Sequence, residues 1–207
     1  MSEEWIDQEH VEESFEDADL TDARLRSCRF TSCSFRQARL VDAVTERCTF
    51  IECDFTAAHL AGSAHRASAF LTCRFATAGL FTARFERCKM TGSNFENANI
   101  AALEIEAGDW SYTILYRQNL SGLNLRGIRL VDANLAECNL ERANLREADL
   151  SGASLSGTKL RGADLRGANL SRVDLRELSL SKVRLDLRQA VMLARAHGAV
   201  VDFDDPD

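Results

Sequence analysis

Every fifth residue from Phe15 to Leu185 is a large apolar residue, with only Thr45 and His65 as exceptions, and the register contains no insertion or deletion. A period of five matches neither the 3.6-residue period of a helix nor the two-residue alternation of a strand. The chain must therefore turn once per repeat. A short fixed period over most of a chain indicates a solenoid, in which each unit buries its apolar side chain only against its neighbours.

The repeat unit is clearest in the second half, in residues 133–137, 148–152 and 163–167, where it reads small, Asn or Asp, Leu, polar, polar. This unit resembles the A(D/N)LXX consensus of the pentapeptide-repeat family, and the resemblance covers most of the chain, from Phe15 to Leu185. It implies an all-β solenoid, a right-handed quadrilateral β-helix in which four repeats form one square coil. In that fold the central residue and the small residue two positions before it point inward. The 35 repeats would then make nearly nine coils, a rod about 40 Å long at ~4.8 Å per coil.

The two ends of the chain differ from the repeat body. We predict an acidic N-terminal cap over residues 1–12, the β-helix over 13–185, and a short α-helix with its tail over 186–207. Asp186 is the expected N-cap of this helix and Gly198 its C′ residue. The helix could simply cover the open end of the rod. We favour a helix that also dimerises, because its apolar residues exceed what one coil end can cover; the expected interface is Leu187, Ala190, Val191, Met192 and Ala194.

Charge is distributed unevenly along the chain and around the expected rod. Residues 1–22 contain ten acids and no Lys or Arg, whereas the remainder has 22 acids and 25 bases. When residues are sorted by their place within a coil of four repeats, the face centred on Phe15 and Phe35 is net −4. Its acids, the candidate partner-binding residues, are Glu13, Glu16, Asp17, Asp54, Glu96, Glu137, Asp174 and Glu177. The face centred on Leu25 and Phe85 is net +3 from residue 23 onward.

Two departures from the repeat carry alternatives. Thr45 and His65 lie four repeats apart, so they should stack in adjacent coils. A polar bulge bonded to the backbone is the favoured interpretation, and a ligand or catalytic role for His65 is the other. Residues 103–128 place Leu103, Gln118, Leu123 and Ile128 in the small slot and include Trp110, Tyr112 and Tyr116. These aromatic residues indicate either altered core packing or a partner-contacting corner.

No motif for catalysis, a cofactor or a metal is recognisable. His10, His59, His65 and His197 stand in no known motif, and neither GxxxxGK nor HExxH occurs. All seven cysteines occupy the small slot at spacings in multiples of five, unlike paired CxxC ligands, which indicates buried reduced thiols. Without a signal peptide or a membrane-length apolar run, we expect a cytoplasmic protein that is not an enzyme.

Within the family the chain is most similar to the MfpA and Qnr proteins. The similarity rests on a near-complete rod, residues 62–70 and the tail at residues 189–198. It implies a homodimer joined at the C-terminal helices, with the width and negative charge of duplex DNA, that binds DNA gyrase and inhibits it or protects it from fluoroquinolones. The alternative is a cytosolic scaffold that binds another protein through a flat face. Direct nucleic-acid binding by the arginine-bearing face is disfavoured by the net charge of −7.

Overall fold

The computed structural model describes residues 3–202 as a parallel β-solenoid followed by one α-helix. The strands are short: β1 Glu4–Ile6, β2 Glu9–Val11, β3 Arg24–Arg26, β4 Arg29–Thr31, β5 Val44–Glu46, β6 Thr49–Ile51, β7 Ala64–Arg66, β8 Ala69–Leu71, β9 Arg84–Glu86 and β10 Glu104–Glu106. Two sheets form, in the orders β1-β3-β5-β7-β9-β10 and β2-β4-β6-β8. Helix α1 spans Leu187–Ala196.

Successive coils pair residues that lie four repeats apart in the sequence. The Phe35 N–H donates to the carbonyl of Asp54 at 2.7 Å, and the Asp54 N–H donates to the carbonyl of Cys33 at 3.0 Å. On the two remaining faces the coils are joined by single parallel bridges, such as Ser34 with Asp54. Pairs of this kind run from Glu4–Arg24 to Asp164–Arg184, which corresponds to about nine coils. The quadrilateral β-helix with a short C-terminal helix is confirmed.

The chain turns once per repeat through the second residue after each centre. That residue has a positive φ in nearly every repeat, for example 56° at Gln37 and 55° at Asp42. This left-handed conformation is unfavourable for most side chains and is tolerated by Asn, Asp and Gly. Backbone pairing to the next coil therefore holds many non-glycine residues in this left-handed conformation.

Phenylalanine columns fill the core of the first half. Centres four repeats apart stack nearly parallel, with ring centroids 4.8 Å apart for Phe30–Phe50 and 4.7 Å for Phe50–Phe70. A second column runs from Phe15 through Phe35, Phe55 and Phe75 to Phe95. Rings of the two columns meet edge to face, as in the Phe50–Phe55 pair at 5.5 Å. Stacked and edge-to-face geometries both suit the aromatic quadrupole, so the two columns stabilise each other.

The N-terminal stretch forms the first coil of the solenoid. Strands β1 and β2 pair in parallel with β3 and β4, and Trp5 and His10 occupy central positions in the repeat register. Trp5 lies 5.5 Å from Phe15 and 6.0 Å from Phe30. The pairing therefore starts at Glu4 and not at residue 13, because Trp5 and His10 fill the centres that the apolar pattern left unassigned. Residues 1–2 of the expected cap lie outside the described residues.

Helix α1 covers part of the C-terminal end of the rod. Asp186 is its N-cap and forms a capping box with Gln189, and Gly198 follows the C-cap with a φ of 86°, both as expected. The Gln189 side chain is buried and donates from Nε2 to the carbonyls of Leu165 and Ala168. The helix is thereby anchored by a polar side chain. Residues 203–207 of the expected tail lie outside the described residues.

Candidate protein-binding surface

The eight candidate acidic residues lie on one side of the rod. Bridges from Ser14 through Ser34, Asp54 and onward to Ser154 place their repeats one above another. We call this side the acidic face; its centres run from Phe15 to Leu175. Seven of the eight acids are exposed, and Asp54 is half-buried.

Arginines on the same face neutralise much of this charge. Arg36 lies between Glu16 at 3.8 Å and Asp54 at 3.1 Å, in the first and third coils. Arg117 bonds Glu137 at 2.8 Å in the next coil. The stacking of one coil on the next therefore turns part of the acidic face into a ladder of ion pairs, which the count of charges by face does not reveal.

These contacts shift the pKa values of the carboxyl groups. The Arg176 guanidinium donates to Asp174 and lowers the pKa of that carboxyl to about 2. Bonds from Arg117 and Tyr116 lower the pKa of Glu137. Burial opposes ionisation of Asp54, but hydrogen bonds from Thr56 and Arg36 outweigh it and lower its pKa. All three carboxyls are therefore ionised near pH 7. Each of them is already paired with an arginine, so its charge is less available to a partner.

Three of the candidate acids keep an unneutralised charge. Within residues 3–202, no ion pair forms at Asp17, Glu96 or Glu177, and all three are exposed. A cationic partner can bind these carboxylates without breaking an intramolecular pair. They are the strongest contact candidates on the acidic face.

The first coil carries the densest charge of the described chain. Its acids are all exposed and surround the rod on four sides: Glu3, Glu4, Asp7, Glu9, Glu12, Glu13, Glu16, Asp17, Asp19 and Asp22. We call these ten residues the acidic collar. Because β1 joins the sheet that contains Leu25 and Phe85, Glu3, Glu4 and Asp7 cancel the net +3 counted on that face. The collar is thus a structural part of the rod.

Several arginines of the Leu25 and Phe85 face are also paired. Arg66 bonds Glu86 at 2.8 Å, and Arg84 bonds Glu104 at 2.7 Å, each in the following coil. Alternating bases and acids in a parallel column bring opposite charges together every ~4.8 Å. This face therefore offers no continuous basic strip to a nucleic acid.

Thr45 and His65 form a buried polar cluster. The Thr45 Oγ1 lies 2.9 Å from His65 Nδ1, and Ser63 Oγ lies 3.0 Å from Nε2. Ser63 donates to the carbonyl of Leu60, and Thr45 Oγ1 donates to Ser68 Oγ at 3.0 Å, so both hydroxyls beside the ring are held by further groups of the fold. Burial lowers the pKa of His65 to about 3. The ring, stacked on Phe85 at 4.7 Å, is a core group with both nitrogens within hydrogen-bond distance of a hydroxyl.

The aromatic residues of the irregular stretch separate into two groups. Trp110 is a buried centre that packs against Phe85 and Phe95. Tyr112 is 58% exposed, and Tyr116 donates from its hydroxyl to Glu137. Altered core packing explains Trp110, whereas the tyrosines belong to the surface. Tyr116 is the residue beside the candidate acids that charge counting could not find.

The helix face predicted to dimerise is divided by the structure. Leu187 is 77% exposed and Ala190 is exposed, whereas Met192 packs against the end of the rod together with Leu193. Met192 is therefore used in covering the coil, because it lies one turn from the buried Gln189. The apolar residues left for an interface are Leu187, Ala190, Val191 and Ala194.

The thiols and the possible metal ligands of the described chain are buried or dispersed. Among residues 3–202, no cluster of three or more His, Cys, Asp or Glu side chains could hold a metal ion. The seven cysteines are free and buried, and burial raises the pKa of Cys88 to about 12. No helix in this range is long and apolar enough to cross a bilayer.

Comparison with known proteins agrees with this geometry. The model of the pentapeptide repeats matches residues 14–44, 28–63, 113–152 and 153–190. No curated protein sequence matches the chain. Trypsin-treated QnrB1, a plasmid-mediated fluoroquinolone resistance protein, superposes with a TM-score of 0.85 at 21% identity, over 96% of this chain and 100% of that chain. Full-length QnrB1 gives a TM-score of 0.63 at 18% identity, over 95% and 100%. The matched repeats cover more than half of the sequence, and the chain belongs to the pentapeptide-repeat family.

Proposed function

We propose that the protein is a non-enzymatic, cytoplasmic DNA mimic that binds DNA gyrase, inhibiting the enzyme, protecting it from fluoroquinolones, or both. The observation that carries this proposal is the likeness of the whole rod to a fluoroquinolone resistance protein, over nearly all of both chains. The acidic collar and the exposed acids of the acidic face supply the phosphate-like charge.

Charge density identifies where the mimicry is strongest. Duplex DNA carries one charge per ~1.7 Å, or about three per ~4.8 Å coil. The first coil carries ten acids and no Lys or Arg, so the collar exceeds the charge density of DNA. Farther along the rod, Glu96 and Glu177 provide isolated negative charges between neutral ion pairs. Contact with the DNA-binding surface of gyrase therefore involves the collar first and the acidic face second.

A dimer joined at α1 would place one collar at each end of a rod about 80 Å long at ~4.8 Å per coil. The exposure of Leu187 and Ala190 on the outer side of the helix supports this arrangement, since apolar residues clustered at one surface favour association. In this arrangement the collar and the β-helix bind gyrase, and residues 186–207 join the two subunits.

The dimer predicts a change of mass on Leu187→Asp. A charge at the centre of an apolar contact must be desolvated without a partner, so we expect the mass in light scattering to fall from twice 23.0 kDa to 23.0 kDa. Ile6→Asp, at the opposite end and also exposed, is the matched control and should stay dimeric. A Leu187→Asp protein that remains a dimer would remove this helix face from the interface.

The contact surface is tested by two charge-neutralised triple variants. One carries Asp17→Asn, Glu96→Gln and Glu177→Gln on the acidic face, and its control carries Asp42→Asn, Glu52→Gln and Glu141→Gln on other faces. The measurement is displacement of a fluorescent DNA duplex from gyrase. We expect the first variant to displace DNA at least ~10-fold more weakly than the unmodified protein, about 1.4 kcal/mol, and the control to change little.

Equal weakening by both triple variants would show that only total charge matters and would contradict a specific acidic face.

A second candidate function is an adaptor that binds another protein through a flat face. The observation favouring it is Phe81, 51% exposed on a face that bears no charged residue from His59 to Asn139. An unmodified protein that displaces no DNA from gyrase at any concentration would favour the adaptor.

A further inference from the structure

The ladder of coils is interrupted on two adjacent faces in the middle of the rod. Just before the interruption the ladder is intact, and the Leu80 N–H donates to the carbonyl of Asn99 at 2.8 Å. Within residues 3–202, no backbone hydrogen bond joins Ile100 to Asn119 or Ile105 to Asn124, the next pairs in register. The other two faces stay joined, as between Trp110 and Arg129 at 2.7 Å. In the middle of the solenoid, two successive coils are therefore separated on one side of the rod.

Glycine positions confirm the separation independently. A Cβ on Gly152 or Gly167 would meet a side chain of the preceding coil within 4 Å. A Cβ on Gly122 or Gly127, at equivalent positions, would meet nothing within 4 Å. Ile105 is only partly buried, unlike the other centres of the rod's middle. The half-coil of residues 119–127 therefore stands away from its predecessor.

The gap is a cleft of about 660 Å³. Its walls are Leu103, Ile105 and Leu123, and acids outnumber bases at its rim, where Glu86, Glu104 and Glu106 face Arg84 alone. Glu86 and Glu104 are already paired with arginines, whereas within the described chain Glu106 forms no ion pair. A ligand that fills the cleft must present apolar surface inward and a cation at the rim.

The two walls are unpaired strand edges. The N–H groups of Ile105 and Ala107 and the carbonyl of Leu103 point along the rod axis, where the next coil would supply partners in every regular turn. Unpaired edges of this kind accept an added strand. Strand β10 reads Glu-Ile-Glu, with the isoleucine inward and the glutamates outward, so its complement is a cation, an apolar residue and a cation.

We propose that this cleft binds an extended segment of a partner protein, containing Lys or Arg on both sides of an apolar residue, as an inserted parallel β-strand. The apolar side chain packs on Ile105 and Leu123, and one cation pairs with Glu106. The volume lies within the ~300–1,000 Å³ range of ligand sites. Half of this pairing exists within the chain, where Arg24 and Leu25 lie in register with Glu4 and Trp5. The site does not depend on gyrase binding.

The test is amide exchange and peptide titration followed by NMR on the full-length protein. In the free protein, the amides of Ile105, Ala107 and Asn124 should exchange at least ~100-fold faster than the amide of Trp110, which is bonded across the coils. The probe acetyl-Thr-Arg-Val-Arg-Thr-amide should shift these signals in a saturable way. Its acidic counterpart, with both arginines replaced by glutamate, should bind at least ~10-fold more weakly.

Glu106→Gln should weaken the arginine peptide severalfold, while Glu46→Gln, in register but nearer the N-terminal end, should not. The proposal is overturned if the three amides are as protected as that of Trp110 in the free protein, because the ladder is then continuous. It is equally overturned if neither peptide produces a saturable shift at several millimolar, or if both bind alike.

Discussion

Replacing Phe50 by alanine should lower the free energy of unfolding by about 3–5 kcal/mol. Phe50 is buried between Phe30 and Phe70 in one column and touches the rings of Phe35 and Phe55 in the other. Alanine would remove both stacked contacts at once and leave a cavity that the paired backbone cannot close. The measurement is the midpoint and slope of denaturant unfolding.

The matched control is Phe81→Ala, the same chemical change at a ring that is 51% exposed. Its effect should stay within about 0.5 kcal/mol. A solenoid is stabilised by nearest-neighbour interfaces, so the loss at Phe50 should appear as faster amide exchange in the two adjoining coils. Similar destabilisation by the two substitutions would contradict the stacked column as the main source of core stability.

His65 should make the protein less stable as the pH falls below about 6.5. In the unfolded chain a histidine has a pKa of about 6.5, whereas burial lowers the pKa of His65 in the fold to about 3. The unfolded state therefore binds the proton first. The stabilisation is complete above pH 6.5 and is lost progressively towards pH 3, by about 2–3 kcal/mol at pH 4.5 and up to about 5 kcal/mol in total.

The window from pH 6.5 to 5.5 separates His65 from the carboxyl groups, because those of the unfolded chain titrate at about 4. In a His65→Leu protein, whose overall stability is lower because Thr45 and Ser63 lose a partner, the free energy of unfolding should change by less than about 0.5 kcal/mol across this window. If the unmodified protein and the variant lose stability equally, protonation of His65 does not oppose folding.

The fold could be predicted from the sequence because a five-residue period leaves few architectures, and the family resemblance selects one. The apolar pattern places Trp5 and His10 in a cap, because a histidine and an isolated tryptophan do not extend that pattern convincingly. The pairing of β1 with β3 includes Trp5 and that of β2 with β4 includes His10, and both rings pack against Phe30 in the next coil. The central position of a repeat therefore accepts an aromatic ring, whether the ring is apolar like that of Trp5 or polar like that of His10.

The candidate surface could be predicted only in part. Periodicity places Asp54 and Glu137 on one face, but the sequence does not state that Arg36 and Arg117 lie within bonding distance one coil away. The cleft could not be predicted, because the five-residue register continues unbroken through it. The only signals were the large residues Leu103 and Leu123 in slots that normally hold a small side chain.

The most direct measurement of gyrase binding is a titration of the enzyme with the purified protein, scoring supercoiling and drug-stabilised DNA cleavage with and without a fluoroquinolone. We predict that rising protein concentration lowers the supercoiling rate, or reduces drug-stabilised breaks at constant drug, with a dependence on salt that follows charge screening. Unchanged supercoiling and unchanged cleavage with the protein in large molar excess would contradict gyrase as the partner.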